Sequence, residues 1–136
     1  MLKVSREGIK VNTILVISEE AETIEIIEGA FAVCMPETDV ETIQLGENVR
    51  ELIGELHPNL IILDLDNEQV NSFDVLSLIR SYSTVPLITV SGNSDTSLSI
   101  KAVQRGSDGH LIKPVHQMEL VTRARACVRR SGIDCK

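Results

Sequence analysis

The sequence predicts an α/β domain, a doubly wound five-stranded parallel sheet with helices on both faces. Wholly apolar runs such as Leu60-Ile61-Ile62-Leu63 are too short for a membrane span and fit strands buried on both faces, as in a parallel sheet. Segments with helical spacing separate these runs, so strand and helix alternate along the chain. At 136 residues the chain suffices for one domain, and with 43% hydrophobic but only 2% aromatic residues its core must be built from Ile, Leu and Val.

The first strand is Ile14-Leu15-Val16-Ile17, which runs into Ser18-Glu19-Glu20. Ile24, Ile27 and Phe31 mark the helix after it, which Pro36 must end. A short second strand is expected around Val40 to Leu45. Val49, Leu52, Ile53 and Leu56 then repeat at the i, i+3, i+4, i+7 positions of an amphipathic helix. The turn His57-Pro58-Asn59 precedes the third strand, which runs into Asp64. Val75, Leu78, Ile79 and Tyr82 give the third helix its apolar stripe, with Ser72 as the expected N-cap. Val85 to Val90 form the fourth strand and lead into Ser91-Gly92. Asn93 or Ser94 is expected to cap a helix through Leu98, Ala102 and Val103, closed by Gly106. His110-Leu111-Ile112, ending at Lys113-Pro114, is the fifth strand, and Leu120, Val121, Ala124, Cys127 and Val128 line the last helix.

If these strands are parallel neighbours, one sheet edge gathers Glu19, Asp64, Ser91 and Lys113. Ligands bind open α/β sheets at the carboxyl ends of the strands, where the crossovers leave a crevice. Carboxylates, a hydroxyl and an ammonium placed there suit a divalent cation and a phosphoryl group.

Charge and composition narrow the classes further. A net charge of −7 argues against nucleic-acid binding by this chain itself, and the late cluster of Arg123, Arg125, Arg129 and Arg130 reads as a solvated helix face. Cys34, Cys127 and Cys135 lack CxxC spacing and no export signal precedes them, which predicts reduced thiols and a soluble, cytoplasmic protein. The loop Ser18-Glu19-Glu20-Ala21-Glu22 is acidic and has no glycine, so it would repel the phosphate that a flavodoxin-like or nucleotide-binding enzyme cradles after its first strand.

Pro58-Asn59-Leu60-Ile61-Ile62-Leu63-Asp64, Val85-Pro86-Leu87-Ile88 with Ser91-Gly92, and Gly106-Ser107-Asp108 through Lys113-Pro114 stand in an order and spacing that resemble the receiver domain of bacterial two-component response regulators. The resemblance covers about residues 12 to 130; it places a receiver domain at 10–131 and a tail or the start of a linker at 132–136. It implies the flavodoxin-like receiver fold, with Asp64 accepting a phosphoryl group from a sensor histidine kinase and Ser91 and Lys113 binding that group. Receivers assist this transfer to themselves and are not classed as enzymes. The Lys113–Pro114 bond is expected to be cis, an isomer tolerable only before proline. Ser91 and His110 match the switch positions.

The last helix, from Glu119 to Arg130, is similar to that of OmpR/PhoB-like transcriptional regulators. Through it the resemblance implies a homodimer built on the fourth helix, fifth strand and fifth helix, with Asp108, Glu119, Arg123 and Arg130 in salt bridges across it. DNA would be reached only through a C-terminal domain not present in this chain, and no membrane contact is implied.

The pattern departs from the family at the metal site. Ser18 and Glu19 stand where two acidic residues usually bind Mg²⁺, with Asp64 and the Asp66 backbone as the remaining expected ligands. Glutamate moves its charge one methylene outward, whereas Mg²⁺ demands near-octahedral oxygens. Asp66 and Glu68 offer compensating charge. Two functions are therefore weighed: a phosphorylated receiver that switches a transcriptional regulator, and a pseudo-receiver acting as a phosphorylation-independent dimerisation or docking module.

Overall fold

The computed structural model describes residues 12–45 and 48–130, and of Arg130 only the backbone. The expected tail at 132–136 and Cys135 lie outside the described residues. Strands and helices alternate as β1 (Thr13–Ile17), α1 (Ala21–Cys34), β2 (Asp39–Ile43), α2 (Val49–Leu56), β3 (Leu60–Asp64), α3 (Ser72–Tyr82), β4 (Leu87–Ser91), α4 (Thr96–Gln104), β5 (Gly109–Ile112) and α5 (Gln117–Arg130). The sheet is parallel, in the order β2-β1-β3-β4-β5.

Period-two alternation divides the buried strand residues between two cores. Ile14, Val16, Leu60, Ile62, Ile88, Val90 and Leu111 meet Ile27 and Phe31 of α1 and Leu120, Ala124 and Val128 of α5. Leu15, Ile17, Ile61, Leu63 and Leu87 face the other way, onto Ile53 of α2 and Leu76 and Ile79 of α3. Both faces of β1 and β3 are thereby covered, which explains why these runs contain no polar residue before their carboxyl ends.

The second face turns polar where β4 and β5 meet. Thr89 and His110 are register partners there, the buried Thr89 hydroxyl lies 3.0 Å from the Ser107 hydroxyl, and α4 contributes only Ala102 as a buried residue. Weak apolar packing leaves α4 held largely by its ends and by polar contacts to α3. Lys101 stands 4.4 Å from the Phe73 ring centroid, and Arg105 donates to the Ser77 hydroxyl at 3.1 Å.

Several local expectations change. The α3 cap is Asn71, whose side chain accepts the Phe73 and Asp74 N–H groups, while Ser72 is a buried first-turn residue. Asp95, in place of Asn93 or Ser94, caps α4 by accepting the Ser97 N–H. Leu78 and Val103, expected on apolar stripes, are exposed because the buried faces of α3 and α4 centre on Leu76, Ile79 and Ala102. Strand β2 starts one residue and ends two residues earlier than expected and is only half-buried, as its edge position requires.

Candidate functional site

The carboxyl ends of β1, β3, β4 and β5 converge on Asp64. Strand β3 delivers this carboxylate with its side chain only 3% exposed, where an unpaired charge would be costly. It is fully partnered. Ser18, buried at the end of β1, donates its hydroxyl to Asp64 Oδ2 at 2.7 Å and accepts the Glu20 N–H at 3.2 Å. The Asp66 N–H donates to Asp64 Oδ1 at 2.9 Å.

Lys113 supplies the positive charge. Its N–H donates to the Ser91 carbonyl at 2.9 Å, continuing the β4–β5 ladder and bringing its ammonium over the sheet edge. There Nζ lies 2.9 Å from Asp64 Oδ2, 3.0 Å from Asp66 Oδ2 and 3.3 Å from Glu20 Oε2. Three carboxylates thus share one ammonium, and the cluster carries a formal surplus of negative charge. Asp66 is tied down further: its Oδ1 accepts the Ser91 hydroxyl at 3.2 Å and its Oδ2 the Gly92 N–H at 2.8 Å. The Lys113–Pro114 peptide is cis, as expected.

These contacts set the proton affinities. Burial alone would raise Asp66, but the Gly92 N–H, Lys113 and the Ser91 hydroxyl outweigh it and hold the carboxyl below its ordinary value. Glu20 is held low chiefly by the Thr23 hydroxyl, with Lys113 adding to the effect. For Lys113 burial works against the charged form, yet Asp64 and Asp66 prevail and raise its pKa. His110, whose Nδ1 is 2.8 Å from the Thr89 hydroxyl, is lowered mainly by burial; its Nε2 is buried with no partner among the described residues.

Of the expected set Glu19, Asp64, Ser91 and Lys113, the last three gather here, joined by Ser18, whereas Glu19 is exposed to solvent. The Asp66 carboxylate, expected to supply compensating charge, is part of the cluster, and Glu20 is an addition to the expected set. Glu19 is exposed and lines an acidic cleft with Glu20, Asp66 and Glu68. Asp108 lies away from this cluster: Arg80 NH2 donates to its Oδ2 at 2.9 Å and the Leu87 N–H to the same oxygen at 2.9 Å. The expected cross-dimer role of Asp108 therefore competes with a partner inside the subunit. Glu119 and Arg123 are exposed on α5, and the Arg130 side chain lies outside the described residues.

The comparisons decide the family. The family model for the response regulator receiver domain matches residues 14–125. The chain belongs to the response regulator receiver family. This receiver is 30% identical over 120 residues to the DNA-binding response regulator MtrA of Mycobacterium tuberculosis, covering 87% of this chain and 51% of that one. It is 33% identical over 117 residues to the probable transcriptional regulator ycf27 of Porphyridium aerugineum, covering 86% and 48% respectively. The receiver thus spans about half the length of the curated relatives it matches. Among solved structures it resembles the receiver domain of the TMAO respiratory response regulator TorR, with a TM-score of 0.80, 28% identity, and coverage of 90% and 99% of the two chains. A two-component response regulator from Clostridium difficile, at 20% identity and a TM-score of 0.79 over 88% of this chain and 98% of that one, shares the fold.

Mg²⁺ is the ion that the resemblance implies for this edge of the sheet. Asp64, Asp66 and Glu19 offer hard oxygens, and Mg²⁺ keeps much of its water shell, so one or two carboxylates suffice to hold it. Among the described residues no group of three or more His, Cys, Asp or Glu is placed to hold a metal ion, and the carboxylates of Glu20, Asp64 and Asp66 converge on Lys113 instead. No helix among the described residues is long and apolar enough to cross a membrane.

Proposed function

We propose that Asp64 is the phosphoryl acceptor of this two-component receiver. The observation that carries the reading is the shared environment of one buried carboxylate: Ser18 and Lys113 both bind Asp64 Oδ2, at 2.7 and 2.9 Å, at the sheet edge where Ser91 also ends its strand. A carboxylate oxygen of Asp64 attacks the phosphorus of a kinase phosphohistidine, the P–N bond breaks, and its electron pair leaves on the imidazole nitrogen. Positioning and charge neutralisation are most of what such a transfer asks of the protein. Lys113 stays protonated far above neutrality and pairs with the incoming oxygens, and the Ser91 hydroxyl turns to donate to one of them.

The surplus of acidic groups makes a further cation useful. Glu19, Asp64 and the Asp66 carbonyl would hold Mg²⁺, with the Ser18 hydroxyl beside them. When bound, it supplies positive charge against the phosphoryl oxygens. Nothing in the comparisons favours the docking-only alternative.

Relationship to MtrA and ycf27 supports a wider role as the input half of a cytoplasmic transcriptional regulator, itself not an enzyme, that meets DNA through a separate domain. Its output would be a change in self-association through α4, β5 and α5, where Glu119, Arg123 and Arg130 can pair reciprocally across a two-fold axis. His110 on β5 would follow Ser91 as the switch.

Exposure to acetyl phosphate with Mg²⁺, followed by intact mass, tests the central step. Wild type should gain one phosphoryl group and Asp64→Asn none. Label that persists on Asp64→Asn, or that maps to another residue by peptide mass spectrometry, removes the assignment.

A further inference from the structure

The donors that a phosphoryl group on Asp64 would need are already engaged by another side chain. Asp66 accepts the Ser91 hydroxyl at 3.2 Å and the Gly92 N–H at 2.8 Å, and its Oδ2 lies 3.0 Å from Lys113 Nζ. A hydroxyl, a backbone amide and an ammonium from two neighbouring strand ends form an oxyanion site of the kind that binds phosphoryl oxygens. The Ser91 oxygen also accepts the Asn93 N–H at 3.0 Å, which leaves its proton free to point at Asp66.

We propose that Asp66 is an internal competitor, whose carboxylate occupies this oxyanion site in the unphosphorylated receiver and must be displaced when a phosphoryl group arrives on Asp64. The inference rests on the reading of Asp64 given above and adds to it the residue that sets how readily the acceptor is loaded. Three features fit displacement. The Asp66 side chain is 39% exposed, so it can leave toward water, whereas Asp64 at 3% cannot. Gly92 admits it closely: a Cβ at that position would stand 3.3 Å from Asp66 Oδ2. All its contacts fall on the two carboxylate oxygens, the kind of atom that a phosphoryl group would present to the same donors. A carboxylate presents two oxygens to the donors and a phosphoryl group three. Once displaced, Asp66 remains close enough to repel the newcomer, which shortens the lifetime of the phosphorylated state.

The alternative is a plain turn clamp in which Asp66 merely ties the loop after β3 to Gly92. Sulfate separates the two, because a clamp hides no anion site. In the Asp64→Asn background, which removes the acceptor charge, melting temperatures are followed against sulfate at constant ionic strength with chloride as control. Adding Asp66→Ala should tighten sulfate binding by about tenfold or more, seen as a rise of melting temperature with sulfate that Asp64→Asn alone lacks. In the Asp64-containing protein, Asp66→Ala should raise the fraction labelled at limiting acetyl phosphate with Mg²⁺ and slow the loss of label. Should Asp66→Ala not fold, Asp66→Asn keeps the shape without the charge and must move both readouts in the same direction.

Equal sulfate responses with and without Asp66 overturn the inference, whatever the labelling shows. Labelling of wild type with no increase in Asp66→Ala also overturns it, while leaving Asp64 as acceptor. If neither protein is labelled, the reading of Asp64 falls and the sulfate result alone decides whether Asp66 masks an anion site.

Discussion

The two ends of the sheet each carry a half-buried cation with carboxylate partnership, and they are built differently. At the carboxyl ends of the strands one ammonium, Lys113, faces Glu20, Asp64 and Asp66. At the opposite end Arg80 faces the single carboxylate of Asp108 at 2.9 Å, and its remaining donors reach backbone oxygens of Gly106 at 2.8 Å, Ser83 at 3.3 Å, and Val85. The arginine cluster is charge-balanced and spends its planar fork on fixed carbonyls, which is the use a guanidinium serves best. Even its glycine is dedicated: Gly106 has φ 115°, and a Cβ there would come within 2.5 Å of Arg80 Cγ. The lysine cluster carries surplus acid around a compact, mobile point charge. A balanced pair with every donor committed serves the fold; an unbalanced one with exchangeable contacts is poised to accept a new group.

The largest effect is expected at Lys113. Lys113→Met strands the buried Asp64 charge with two other carboxylates, and breaking such a pair from one side costs about 3–5 kcal/mol at neutral pH. The cost should depend on pH in a definite way. Asp66 and Glu20 are held below their ordinary values, so their contribution is complete above about pH 4.5 and is lost as pH falls through their folded values. Lys113 is raised, so its contribution is complete below about pH 10.4 and is lost as pH rises through its folded value. Denaturant unfolding should therefore show a wild-type advantage that is flat between those limits and narrows at both ends. An advantage that persists undiminished at pH 3 would mean that Lys113 acts by packing and not by charge.

Arg80→Ala should cost somewhat less, about 2–3 kcal/mol, the worth of a charged hydrogen-bond set at a half-buried site. Its alkaline behaviour sharpens the contrast, since a guanidinium does not lose its proton in the range where Lys113 does. The acceptor chemistry lies at the far end of the sheet, so the labelled fraction at Asp64 in folded protein should match wild type. A variant that keeps its stability but loses labelling would make the arginine cluster functional and erase the contrast between the two ends of the sheet.

The same contrast explains what could be read from the chain. Strands β1 and β3 were legible because both faces are buried, which forces uninterrupted apolar runs, and β4 because only Thr89 breaks its run, whereas β2 at the edge reads as the half-polar Asp39-Val40-Glu41-Thr42-Ile43. Helix caps were misplaced by a residue or two where several capping side chains stand in a row, as in Asn71-Ser72 and Asn93-Ser94-Asp95; loop geometry selects among them. Asp64, Ser91 and Lys113 were legible because each closes an apolar strand. Glu20 was not, and Asp66 was read only as compensating charge alongside Glu68, since which of several loop acids turns inward depends on the contacts of Thr23 and Gly92, not on spacing. Arg80 escaped notice for a different reason: it belongs to no local pattern, and its carboxylate partner Asp108, 28 residues away, was expected to pair across a dimer.

The smallest expected effect tests whether the lysine cluster is redundant. Glu20 is the outermost of its three acids, with a side chain 48% exposed and the longest contact to Lys113, 3.3 Å. Exposed pairs contribute at most about 1 kcal/mol, and here Asp64 and Asp66 continue to neutralise the ammonium when the third acid is removed. Glu20→Gln should therefore change stability by less than about 0.5 kcal/mol. Asp108→Asn, by contrast, leaves Arg80 with no carboxylate and should cost clearly more, although a comparable share of the Asp108 side chain, 37%, is exposed. Chemical denaturation of both variants in one buffer decides the matter. Equal losses would show that each carboxylate is individually required at Lys113, and that the surplus of acid is part of the framework and not a reserve for an incoming group.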